Sequence, residues 1–132
     1  MKKILLGVVI LSRIASGEVA SWYANGFEGK TTASGYIYNS SQFTCASNKH
    51  KFGTVLKVTN KENNKSVKVV VTDTGSFDRK YGRHIDLSKK AFSSIAKLGE
   101  GLIDVNIEIV DTSKTFRYKH GNPVFKGEDY DL

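Results

Sequence analysis

At 132 residues and 39% apolar composition, the chain has the length of one domain and can fill one modest core. Its single cysteine, Cys45, rules out an internal disulfide, so the fold must stand on packing alone. The formal charge of +7 is spread along the chain with no dense basic run, which points to an anionic polymer as partner and away from nucleic acid.

The N-terminus departs from the rest. Lys2 and Lys3 precede an apolar run over residues 4–11, and the small residues Ala15, Ser16 and Gly17 follow. This order predicts a signal peptide over residues 1–17 and a secreted or periplasmic protein. The run is shorter than the roughly 20 residues a membrane-spanning helix needs, so no stable membrane insertion is expected after cleavage. Taking the three charges Lys2, Lys3 and Arg13 from +7 leaves a mildly basic +4. A buried N-terminal strand is the alternative reading.

Residues 19–23 read as a first strand, and residues 26–35, rich in Gly, Thr and Ser, as a loop. Residues 42–46 form a short strand candidate in which Cys45 is a small buried hydrophobe. Residues 54–59 and 66–72 are β-rich and flank an Asn-rich turn at 60–65, which predicts a hairpin. A Gly-containing loop spans 73–83, and Ile85-Asp-Leu is a short extended piece. Ser88 is placed to cap a helix over residues 89–98, with Gly99 as its stop. In residues 102–110, Ile103, Val105, Ile107 and Ile109 alternate with polar residues, the pattern of a half-buried strand. Residues 111–132 lose this order and read as an extension that adds a strand or drapes over the domain at 18–110. Five to seven strands and one helix suit a small barrel, which leaves few open edges.

Chemistry-bearing clusters are few. His50, His84 and His120 lie far apart and no Cys/His cluster has zinc spacing, so no metal or cofactor is expected. There is no phosphate-cradling Gly-rich loop and no Gly-x-Ser-x-Gly elbow. Asp73 follows the apolar Val69-Val-Val and opens a loop, where partial desolvation suits general acid work. Position alone favours a loop-start Asp bonding nearby amides. Asp86, just before the helix, is open to the same two readings.

Ala20-Ser-Trp-Tyr23, Thr32-Ala-Ser-Gly35, Phe52-Gly-Thr54, Val58-Thr-Asn60, Val69-Val-Val-Thr-Asp73, Gly75-Ser-Phe77 and Ile85-Asp-Leu-Ser88 stand in order at fitting spacing. Together they resemble the rare lipoprotein A family over about residues 19–110. The resemblance implies a mainly β fold, a six-stranded double-psi β-barrel with one short helix. It further implies a monomeric lytic transglycosylase of peptidoglycan or a related cell-wall glycan, with Asp73 at the catalytic position. Residues 73–109 are also similar to the barrel of bacterial expansins, which implies a non-hydrolytic wall-binding alternative and pairs Ser21 with the aspartates.

Two positions depart from the family pattern: Tyr36 stands where an acid usually follows Thr-Ala-Ser-Gly, and Ser47 where a His is usual. On this reading Ser21, Tyr23, Tyr36, Ser47, Phe77, Tyr81 and Asp86 are the candidate substrate-binding residues. Trp22 and Tyr23 are read equally as core, and Arg83 and His84 as surface residues or as holders of acetamido or carboxylate groups. A third option, an accessory protein binding another protein, rests only on the acidic end of the tail.

Overall fold

The computed structural model describes residues 18–75 and 83–132. The expected signal peptide, Phe77 and Tyr81 lie outside the described residues. Six strands form a closed barrel: β1 (Glu18–Trp22), β2 (Thr44–Ser47), β3 (Val55–Asn60), β4 (Ser66–Asp73), β5 (Arg83–Leu87) and β6 (Ile103–Asp111). The order around the barrel is β1-β5-β2-β4-β3-β6. Two of the pairings, β1 with β5 and β2 with β4, are parallel and the others antiparallel. Mixed pairing around a six-stranded closed barrel with one helix defines a double-psi β-barrel.

The core is built by alternation. Ala20, Cys45, Leu56, Val58, Val69, Val71, Ile85, Leu87 and Val105 point inward from the strands. Helix α1 (Lys89–Ile95) adds Ala91, Phe92 and Ile95 to the same cluster. Ser88 caps α1: its hydroxyl accepts from the Ala91 amide and donates to the Gln42 carbonyl. At the other end the Asn60 and Asn63 side chains both donate to the Ile95 carbonyl, at 2.8 and 2.9 Å. The hairpin turn thus supplies partners for a helix terminus that otherwise leaves carbonyls open. That is why α1 stops at Ile95, short of the expected 98, and Leu98–Glu100 becomes a 3-10 turn.

The alternation expected for β6 holds only in its first half. Ile103 and Val105 are buried, whereas Ile109 is 58% exposed, because the inward face runs past the end of the core. The tail drapes over the outer face of β3 and β4. Phe125 and Tyr130 close a second core with Tyr36, Val55 and Val70, and Val124 forms a single bridge with Ile37. The backbone of residues 114–119 runs directly over Gly35 and Gly53, both at positive φ, where a side chain would collide with the Lys119 and Lys114 carbonyl oxygens.

Candidate functional site

The strand faces turned away from the core converge on one row. Ala46 of β2 is registered against Asp73 of β4 on one side and Asp86 of β5 on the other. Asp86 is registered in turn against Ser21 of β1. With neighbouring strands about 4.8 Å apart, the two aspartates stand about 10 Å apart at their Cα atoms, with only a methyl side chain between them.

Asp73 reaches this row through a bulge. Cys45 pairs with Val71, and the next pair is Ala46 with Asp73, so the register passes over Thr72. Without that shift, period-2 alternation would turn Asp73 to the core face with Val69 and Val71. A second shift, between Val19 and Ala20, passes over His84 and sets Ser21 against Asp86. The bulged His84 accepts the Val19 amide on Nδ1 at 3.2 Å, so it ties down a strand end.

Three donors hold the half-buried Asp73 carboxylate. Oδ1 accepts from the amides of Ala33 and Thr74, both at 2.9 Å, and Oδ2 accepts the Tyr23 hydroxyl at 2.7 Å. The Ala33 amide is presented by a turn in which Thr32 donates to the Tyr36 carbonyl, Gly35 donates to the Thr32 carbonyl, and Ser34 anchors to Thr72. The Thr-Ala-Ser-Gly motif is therefore a clamp on the acid. Of about four lone-pair positions on a carboxylate, one on Oδ2 is left for a substrate atom. Asp86 accepts a hydrogen bond from the Ser21 hydroxyl.

Tyr23 does not offer an open stacking face. Its ring stacks on Tyr38 at 4.3 Å and meets Phe27 edge-on, and burial together with the Asp73 charge pushes its phenol pKa far upward. In its neutral form the phenol donates to Asp73. Trp22, on the other face of β1, packs against Phe92 and donates to the Leu98 carbonyl, which makes it a core residue. Tyr36 packs edge-on against Phe116 and Phe125 in the second core and presents no ring to the row of aspartates. Ser47 is buried and its hydroxyl accepts the Lys49 amide, a loop cap where the family pattern has a His. Cys45 is fully buried and its thiol pKa is pushed upward by burial, so it is no nucleophile.

Beside Asp73 a cleft of about 530 Å³ lies between residues 47–52, Thr74 and the tail. Asn48 lines it and exchanges two hydrogen bonds with the backbone of Gly75 at 2.7 and 2.9 Å. No group of three or more His, Cys, Asp or Glu side chains is placed to hold a metal among the described residues. Sequence reasoning did not single out Ala33, Thr74 or the tail residues at this cleft. Backbone donors leave no mark on residue type, and the tail reaches the cleft by tertiary contact alone.

Barrel, bulged aspartate and amide clamp place the molecule among double-psi barrels that carry an acid at a strand end. A family model described as "Lytic transglycolase" matches residues 15–107, and the chain belongs to that family. The "Endolytic peptidoglycan transglycosylase RlpA" of Campylobacter jejuni is 43% identical over 103 residues, covering 78% of this chain and 36% of that protein. The protein of the same name from Rickettsia prowazekii is 45% identical over 92 residues, covering 67% of this chain and 28% of the relative. The chain thus spans about a third of the length of the curated relatives it matches. Among solved structures, a Clavibacter michiganensis expansin in complex with cellohexaose shares the fold, with a TM-score of 0.55 and 20% identity over 72% of this chain and 50% of its own.

Proposed function

We propose that this chain acts on peptidoglycan in the cell envelope as an exported, monomeric lytic transglycosylase. The observation that carries the reading is Asp73: a bulge turns it out of the core, two amides and a phenol fix its carboxylate, and the next residue, Thr74, lines an open cleft. The relatives named above support the substrate. In this reading protonated Asp73 donates its proton to the glycosidic oxygen between N-acetylmuramic acid and N-acetylglucosamine. The muramoyl C6 hydroxyl attacks C1 and returns its proton to the Asp73 carboxylate, closing a 1,6-anhydro ring. No water enters, so one carboxyl serves as acid and then base, unlike the paired carboxylates of glycoside hydrolases. Digestion of purified sacculi, read by mass spectrometry for 1,6-anhydromuropeptides, tests it. Folded protein that releases none would sink the catalytic reading.

The second reading is a non-hydrolytic, expansin-like wall-binding module. It is favoured by Tyr36 and Ser47, which are given over to packing and loop capping where the family pattern has an acid and a His. It predicts sedimentation with insoluble wall material, no soluble product, and no change in wall effects on Asp73→Asn.

A further inference from the structure

We propose that the tail is a positioning strap for the acid: it backs the turn over residues 31–37 whose Ala33 amide holds Asp73, with the Lys119 amide and the Asn122 side chain as the positioning groups. This builds on the reading of Asp73 as the acid and adds what sets its carboxylate. The turn lies between the two. On its inner side the Ala33 amide donates to Asp73 Oδ1 at 2.9 Å and the Ser34 amide donates to the Thr72 carbonyl at 3.2 Å. On its outer side the Lys119 amide donates to the Ser34 carbonyl at 2.8 Å, and the Asn122 side chain donates to the Gly35 carbonyl at 3.3 Å. At the end of the turn the Ile37 amide donates to the Pro123 carbonyl at 2.9 Å, and Ile37 forms bridges with both Thr31 and Val124.

Ala33 itself is exposed, so core packing does not press its amide onto the carboxylate, and the hydrogen bonds of the turn must do so. Ser34 is fully buried, and a buried carbonyl stripped of its donor is costly, so the Lys119 amide fixes where the turn sits. Tail and turn also meet backbone to backbone: Gly35 has a φ of +94°, and the Lys119 carbonyl oxygen occupies the place a side chain there would need. The strap is anchored on the strand that carries the acid, because Phe125 and Tyr130 pack in one cluster with Val70 of β4. Acid, turn, tail and strand therefore close a ring of contacts, in which a shift of the tail is passed to Ala33. The family match ends at residue 107, so these positioning groups lie outside the matched barrel.

Two variants of the full chain test the strap. Lys119→Pro removes the amide that holds Ser34, and Asn122→Gly removes the donor to Gly35 while tolerating the positive φ of residue 122. Hydrogen exchange at the Ala33 amide should quicken about tenfold in Lys119→Pro and about twofold in Asn122→Gly, whereas exchange at the Ser88 amide, bonded to Thr44 across the barrel, should not change. Release of 1,6-anhydromuropeptides from sacculi, corrected for the folded fraction, should fall about fivefold in kcat in Lys119→Pro with KM unmoved, the scale of one net hydrogen bond. A merely stabilising tail would lower the folded fraction and leave both corrected quantities alone. Should Lys119→Pro not fold, Asn122→Gly decides. Ala33 exchange unmoved in the folded variants, or quickened with corrected kcat unchanged, overturns the strap and leaves the peptidoglycan reading standing. Quickened Ala33 exchange in a protein whose wild type releases no product overturns the catalytic reading and leaves the strap as what sets Asp73.

Discussion

The Tyr23 hydroxyl donates to Asp73 Oδ2 at 2.7 Å across 50 positions of sequence, from the end of one barrel strand to the end of another. It reaches that atom because Tyr23 shares with Ser21 the strand face opposite the core, and because the bulge after Val71 turns Asp73 onto the same face. Tyr23→Phe keeps the stack on Tyr38 and removes only this donor. Stability should fall by about 1 kcal/mol, the net value of one hydrogen bond. Release of anhydromuropeptides should fall about tenfold, through kcat more than KM, as Asp73 loses its orientation. Unchanged kcat would show that the amides of Ala33 and Thr74 suffice to orient the acid.

Asp73→Asn tests the acid itself. The amide oxygen still accepts from Ala33 and Thr74, so the turn over residues 32–36 and the melting temperature should be nearly preserved. Product release should drop by about 10²-fold or more, the usual scale of a lost general acid. Product formation at the wild-type rate, measured on the same sacculi, would remove Asp73 from the chemistry.

The strands were legible because their inward residues alternate: Val69 and Val71, Ile85 and Leu87, Ile103 and Val105. The helix was legible in type but not in length, because Asn60 and Asn63 end it from the hairpin turn, a contact no local pattern announces. At the site, Asp73 was legible through the motifs around it, but the geometry that makes it available was not. Alternation alone turns it inward, and only the unpaired Thr72 corrects this. Tyr36 misled for a related reason. An aromatic in a Gly-rich loop reads as exposed until the tail, disordered in pattern, supplies Phe116 and Phe125 to bury it.

The second core makes the tail part of the folded unit. Phe125 is 1% exposed and meets both Tyr36 and Tyr130. Phe125→Ala should cost about 3–5 kcal/mol by denaturant unfolding, the scale for a large core aromatic. It should also loosen the tail wall of the cleft. Hydrogen exchange at the Phe116 and Lys119 amides, which donate to Phe52 and Ser34, would report that directly. A cost under about 1 kcal/mol would mean that the tail is only laid on the barrel.

Alkaline pH should unfold the protein through two buried groups on opposite faces of the barrel wall. Cys45 and Tyr23 both have pKa values raised above their ordinary 9.0 and 10.0, chiefly by burial, with the Asp73 charge adding to each. Their protonated forms are the ones the folded state tolerates, so the stabilisation is full below those ordinary values. As pH rises through 9 and then 10, the unfolded chain releases protons that the folded chain retains, and stability falls. Each group contributes a slope of up to about 1.4 kcal/mol per pH unit above its unfolded value. Denaturant midpoints should therefore decline from pH 9 upward, and the decline should flatten stepwise in Cys45→Ala and Tyr23→Phe. A wild-type slope shared unchanged by both variants would assign alkaline unfolding to other tyrosines, Tyr130 first, whose phenol is pushed up to about 12.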